Sequence, residues 1–145
     1  MTLSYFDSSF LLAILLDEER QEEAYAYWQN STRVSSILLR IETIIVLRRT
    51  YEINKQKLES NWLNKKTKVL NNYLDAVNYK VISSKTEREI YSRNELTRCR
   101  SLDAIHIATA LQFRELNNGE EVNLYTYDRT MHGLAEYYSF KTNEL

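Results

Sequence analysis

Two rhythms of hydrophobic and polar positions alternate along the chain. Short apolar or β-rich runs occupy residues 3–6, 33–36, 79–82 and 123–127, with a weaker fifth at 138–141. Between them lie longer stretches with helical spacing. Residues 8–16 and 20–29 form the first pair, 38–51 and 55–76 the second, 86–96 and 102–116 the third, and 129–136 the last. Short β-rich runs read as strands and long 3.6-periodic runs as helices. Their alternation predicts an α/β fold with a mainly parallel sheet of four to five strands. Right-handed crossovers would then cover both sheet faces with helices. Ligands of such sheets gather outside the carboxyl ends of the strands, and that is where chemistry is to be sought.

Composition sharpens this picture. The 145 residues fit one domain, taken as 1–145, with enough length for a core that needs no disulfide staples. There is no proline, and the two glycines, Gly119 and Gly133, rule out a glycine-rich phosphate loop. The one cysteine, Cys99, excludes a disulfide framework and a cysteine-based zinc site. It fits a reducing compartment, so the expected location is cytoplasmic. The apolar run at the N-terminus is short, carries Asp7 and has no basic leader, so it reads as folded structure and not as a signal peptide or membrane span.

Net charge is −1, so any nucleic-acid contact must be local. Residues 17–23, DEERQEE, are strongly acidic. Residues 55–80 carry Lys55, Lys57, Lys65, Lys66, Lys68 and Lys80 against only Glu59 and Asp75. Both runs suit solvated helix faces. The segment 54–76 also leaves open a role in RNA binding or in contacts between copies.

Four acids stand out by position. Asp7 directly follows the first strand, where it serves equally as a helix N-cap or as a site carboxylate. Glu42, in SSILLRIETIIVLRR, is set among Ile41, Ile44, Ile45 and Leu47, costly company for a charge. Asp103 lies in the first turn of RSLDAIHIATALQF, behind Ser101 as expected N-cap, on a helix apolar nearly all round. Asp128 closes NLYTYDRTM, where a strand gives way to a helix, as a cap, an ion-pair partner of Arg129 or a site residue. In a parallel sheet these four positions converge. Clustered carboxylates repel one another and call for a multivalent cation or raised pKa values. Oxygen ligands without cysteine or a histidine cluster favour Mg2+ or Mn2+ over zinc. Ser8 beside Asp7, and Thr126 two before Asp128, are candidates for orienting a water or a phosphate oxygen. His106, one turn beyond Asp103, reads as a packed, hydrogen-bonded core residue more readily than as a general acid or base.

The stretches YFDSSFLLAILL, SSILLRIETIIVLRR, RSLDAIHIATAL and LYTYDRTM together resemble the PIN-domain ribonucleases, and within them the chain looks like a VapC-type toxin of a toxin–antitoxin pair. The resemblance implies a PIN-like three-layer α/β/α sandwich. It places an acidic, metal-binding site on Asp7, Glu42, Asp103 and Asp128, with a Thr-x-Asp feature on Thr126 and Asp128. It further implies a Mg2+- or Mn2+-dependent endoribonuclease that cuts structured RNA of the tRNA or rRNA class, a homodimer, and a small cognate antitoxin that occludes the site. The last segment, EYYSFKTNEL, lacks the glycine often found before the family's final strand. A haloacid-dehalogenase-like phosphatase would need a second Asp two residues after the first, where this chain has Ser9. A non-catalytic RNA-binding or protein-interaction module on the same fold is the competing class. Arg40, Arg48, Arg49, Lys65, Lys66, Lys68, Arg98 and Arg100 would supply its phosphate contacts.

Overall fold

The computed structural model describes residues 1–16 and 18–145; Asp17, the first residue of the acidic run, lies outside them. Strand β1 (Thr2–Phe6) pairs in parallel with β2 (Ser31–Ser36) on one side and β4 (Asn123–Tyr125) on the other, and β3 (Asn78–Lys80) extends the sheet beyond β2. The order is β3-β2-β1-β4. From β1 the chain steps outward to β2 and β3 and then returns to the other side of β1 for β4. The reversal puts a topological switch point between β1 and β4.

Alternation along β1 builds a core on each face. Tyr5 joins Val34, Leu124, Ile107 and Leu134 on one side, while Phe6 joins Phe10, Trp28, Leu39 and Tyr125 on the other. The first face is covered by α6 (Ser101–Leu116) and α7 (Arg129–Tyr137), and the second by α1 (Ser8–Leu15), α2 (Gln21–Gln29), α3 (Leu38–Asn54) and α4 (Trp62–Leu74). Between β3 and α6 lie α5 (Ser84–Tyr91) and a 3-10 turn at Asn94–Arg98. The expected α/β/α layering and parallel sheet are therefore present among the described residues.

The departures have local causes. The helix expected over 55–76 begins only at Trp62, because α3 runs on to Asn54 and the chain turns between them. Tyr51 stacks on Trp62 across that turn, with ring centroids 6.2 Å apart. Strand β3 stops at Lys80, where its partner β2 ends at Ser36, and leaves Val81 and Ile82 exposed. The fifth strand shrinks to a single bridge between Asn123 and Lys141, with the Leu124 N–H donating to the Lys141 carbonyl at 2.9 Å. Ser139 makes the turn into it at φ 64°, left-handed backbone that glycine usually supplies. No helix among the described residues is long and apolar enough to cross a membrane.

Part of the lysine-bearing segment has a structural task. The Lys66 ammonium donates to the Leu15 carbonyl at 2.8 Å, tying α4 to the C-terminal turn of α1. Lys65 lies 3.7 Å from Glu59 on the surface.

Candidate active site

Asp7 is fixed by the elements on either side of it. Phe6 and Phe10 are wholly buried, which locks the strand-to-helix junction into the core. Asp7 itself is 3% exposed. It caps α1: its Oδ1 accepts from the Phe10 N–H at 3.2 Å and from the Ser9 hydroxyl at 2.7 Å. Its Oδ2 accepts from the Thr126 hydroxyl at 2.7 Å, across from the end of β4. Burial raises the carboxyl's pKa, and His106, Thr126, Ser9 and the Phe10 N–H draw it back. Of the two roles equally open in the sequence, the cap is filled, and the carboxylate stands at the sheet edge where the other would act.

Thr126 links the two strand-end acids. While its hydroxyl donates to Asp7, its oxygen accepts from the Asp128 N–H at 3.0 Å. Asp128 caps α7, taking the Met131 N–H on Oδ1 at 2.9 Å. The side chain of Asn143 brackets Thr126, accepting its N–H at 2.9 Å and donating to its carbonyl at 3.0 Å. The serine that reaches Asp7 is Ser9, not Ser8: its oxygen also accepts from the Tyr127 N–H at 2.9 Å. Ser8 and Ser9 are the first two residues of α1, and the helical rotation between them turns Ser9 back toward the end of β4.

The other two acids sit on helix bodies. Glu42 is in the second turn of α3, six residues beyond the end of β2. Asp103 is not at the end of β3, because α5 and the 3-10 turn intervene; α6 brings it to the carboxyl edge by starting there. Ser101 is not the cap of α6: that position is Arg100, in extended backbone and with no side-chain cap. Arg100, whose side chain is 88% exposed, lies 3.8 Å from the Asp103 carboxylate. Burial raises the Asp103 pKa, with Asp128 and then Glu42 adding to the rise while Arg100 and His106 oppose it. Asp103, Asp128 and Glu42 thus share one electrostatic neighbourhood.

His106 is buried and bridges Tyr5 and Glu42. Its Nδ1 is 2.6 Å from the Tyr5 hydroxyl and its Nε2 is 2.6 Å from Glu42 Oε1. It is packed and hydrogen-bonded, as its apolar helix suggested, but its partner is one of the candidate acids. Nothing local in the sequence signals this, since Tyr5 and His106 are 101 positions apart.

The donor set is all carboxylate and hydroxyl oxygen, and its anions penalise one another, which suits a hard divalent cation. The carboxyls are not drawn into a cage: among the described residues no three Asp, Glu, His or Cys side chains stand together closely enough to hold a metal ion. The fit is one of donor chemistry, charge and placement at the sheet edge. A cavity of about 960 Å3 lies elsewhere, between α5, the 3-10 turn and α6, and is lined by Ile82, Ile90, Leu96 and Ile105 among others.

No curated protein matches the chain. The model of the PIN domain matches residues 4–136, from the second half of β1 to within one residue of the end of α7. That span contains all four acids, Thr126 and Ser9, and it implies a nuclease-type fold. The chain belongs to the PIN domain family.

Proposed function

We propose that the protein is an endoribonuclease dependent on Mg2+ or Mn2+, the toxin of a toxin–antitoxin pair, acting as a single domain in the cytoplasm and as a homodimer. The observation that carries this reading is the meeting of Asp7, Thr126 and Asp128 at the β1/β4 switch point, with Glu42 and Asp103 brought to the same edge. A divalent ion held by Asp7, Glu42, Asp103 and Asp128 would polarise a phosphoryl oxygen, generate a hydroxide-like nucleophile from water and stabilise the leaving alkoxide.

The chain's own residues do the rest. Asp7 is held to one orientation by Ser9, Thr126 and the Phe10 N–H, so its geometry is set before any substrate arrives. Thr126 keeps Asp128 in register with Asp7 through the Asp128 N–H. Arg100, exposed at the mouth of α6, is positioned to meet a backbone phosphate of the RNA. In the cleavage step a water oxygen forms a bond to phosphorus as the bond to the leaving sugar oxygen breaks, and the leaving oxygen takes up a proton. No side chain need act as covalent nucleophile. The substrate class is RNA, tRNA or rRNA, and the partner is a small cognate antitoxin that occludes the acidic edge.

The competing reading, an RNA-binding module without catalysis, is favoured by the absence of a closed three-ligand set among the described residues. Incubation of total RNA with the purified protein separates the two. The nuclease reading expects cutting with Mg2+ or Mn2+, none with chelator, and loss in Asp7→Asn and Asp103→Asn. Binding without cutting under either metal assigns the protein to the second class. Cutting that survives both substitutions displaces the site.

A further inference from the structure

The buried Tyr5–His106 pair joins the sheet backbone to a carboxylate. The Ser36 N–H donates to the Tyr5 oxygen at 3.1 Å, so the backbone of β2 already supplies that oxygen with a donor. His106 Nδ1 stands 2.6 Å from the same oxygen. Burial keeps the phenol protonated, with its pKa above the ordinary range. The other ring nitrogen, Nε2, faces Glu42 Oε1 at 2.6 Å, and against a carboxylate oxygen it is the nitrogen that donates. The Ser36 N–H, the Tyr5 hydroxyl, the His106 ring and Glu42 Oε1 therefore form one continuous run from the sheet backbone to the carboxylate. Tyr5 is 0% exposed and His106 1% exposed, so water does not compete at the link between them.

Glu42 is otherwise a long side chain on a helix body, with rotamer freedom that the capping acids lack. The chain Tyr5–His106 removes it at one oxygen. We infer that Tyr5 and His106 are positioning residues that hold Glu42 by Oε1 and leave Oε2 to face a bound cation. His106 works through Glu42 and does not touch the reacting atoms. The inference rests on the proposed reading of Glu42 as a ligand of the nuclease site. Hydrogen-bonded partners of this kind orient ligating carboxylates, and their loss typically costs 10- to 100-fold in metal affinity.

The test uses the full chain and compares wild type with His106→Leu, His106→Gln, Glu42→Gln and the Glu42→Gln/His106→Leu double variant, each first checked for folding by circular dichroism. Nitrogen-15 NMR of the histidines in metal-free protein should find His106 protonated on Nε2. Calorimetric titration with Mn2+ should show affinity falling about 10- to 100-fold in His106→Leu. It should fall only a few-fold in His106→Gln, whose amide places a donor near the lost Nε2. The double variant should be no weaker than the weaker single one. If His106→Leu does not fold, His106→Asn draws the donor back by one methylene and should show the same loss. An Nε2 without a proton, or a folded His106→Leu or His106→Asn that binds Mn2+ as tightly as wild type, overturns the inference. Wild type that binds no Mn2+ overturns it together with the nuclease reading. Wild type that binds Mn2+ with these differences yet leaves RNA whole refutes the nuclease and upholds the positioning. Cutting and Mn2+ binding both unchanged in His106→Leu do the reverse.

Discussion

The two halves of the candidate site are built by different means. Asp7 and Asp128 stand at strand-to-helix junctions and are fixed by backbone: each caps the helix that follows it, and Thr126 joins them. Glu42 and Asp103 stand on helix surfaces. Glu42 is fixed by a buried side-chain partner, and Asp103 is part-buried and borders the exposed Arg100. The junction half is rigid because secondary structure demands it. The helical half is in place only because α3 and α6 pack where they do, so it depends on contacts made far apart in the chain.

Substitution at the junction half should give the largest effect, and in two opposite directions. Asp7→Asn keeps an oxygen for the Phe10 N–H and Ser9 but discards the charge. RNA cleavage should drop by about 100-fold or more, measured as initial rates with saturating Mn2+. The same change should stabilise the metal-free fold by about 1 kcal/mol at neutral pH in urea titrations, as relief of one destabilised active-site group commonly does.

The sign follows from linkage. Burial raises the folded-state pKa of Asp7 above its unfolded value. The folded chain therefore binds the proton more tightly, and stability falls as pH rises from the ordinary carboxylate range through the folded pKa. The gap between Asp7→Asn and wild type should accordingly shrink toward acid pH. A gap that widens on acidification would mean that the hydrogen bonds outweigh the burial.

Thr126→Val should come next. It removes the donor to Asp7 and the acceptor of the Asp128 N–H while keeping the shape. The expected loss is about 1–3 kcal/mol of stability, read by urea titration, together with reduced cleavage. The corresponding removal of the exposed partner in the helical half, Arg100→Ala, should change stability by less than about 1 kcal/mol. Equal losses from the two would erase the distinction between the halves.

The smallest effect is a reporter of the helical half. Burial, then Asp103 and Asp128, push the Cys99 thiol up to about 11. At pH 8 it should react with iodoacetamide well below the rate of an unhindered thiol. If a divalent cation neutralises Asp103 and Asp128, the rate should rise when Mg2+ is added. The cation-dependent rise should be lost in Asp103→Asn. A Mg2+-independent rate in wild type would place the ion away from those acids.

The same contrast explains what could be read from the sequence. Asp7 and Asp128 were legible because a strand-like run, an acid and a helical run carry their own geometry. Glu42 was legible as an awkward charge among isoleucines, but not as the partner of His106, because that contact joins α3 to α6. Ser8 and Ser9 differ by one step of helical rotation, and only the position of β4 decides which of them meets Asp7. The edges of the sheet were the poorest guide. Strand β3 ends where its partner ends, and the last run becomes a single bridge beside β4, so neither length is set by its own residues.

The late return of β4 to the side of β1 has a consequence in time. The Thr126 hydroxyl that orients Asp7 lies 119 residues further along the chain. Tyr5 likewise waits 101 residues for His106. A chain emerging from the ribosome can form α1 and its cap early, yet Asp7 lacks its second oxygen's partner until residues 123–128 are out and paired. If the proposed nuclease reading holds, the order of the strands keeps the acidic edge incomplete until β4 has been made and paired.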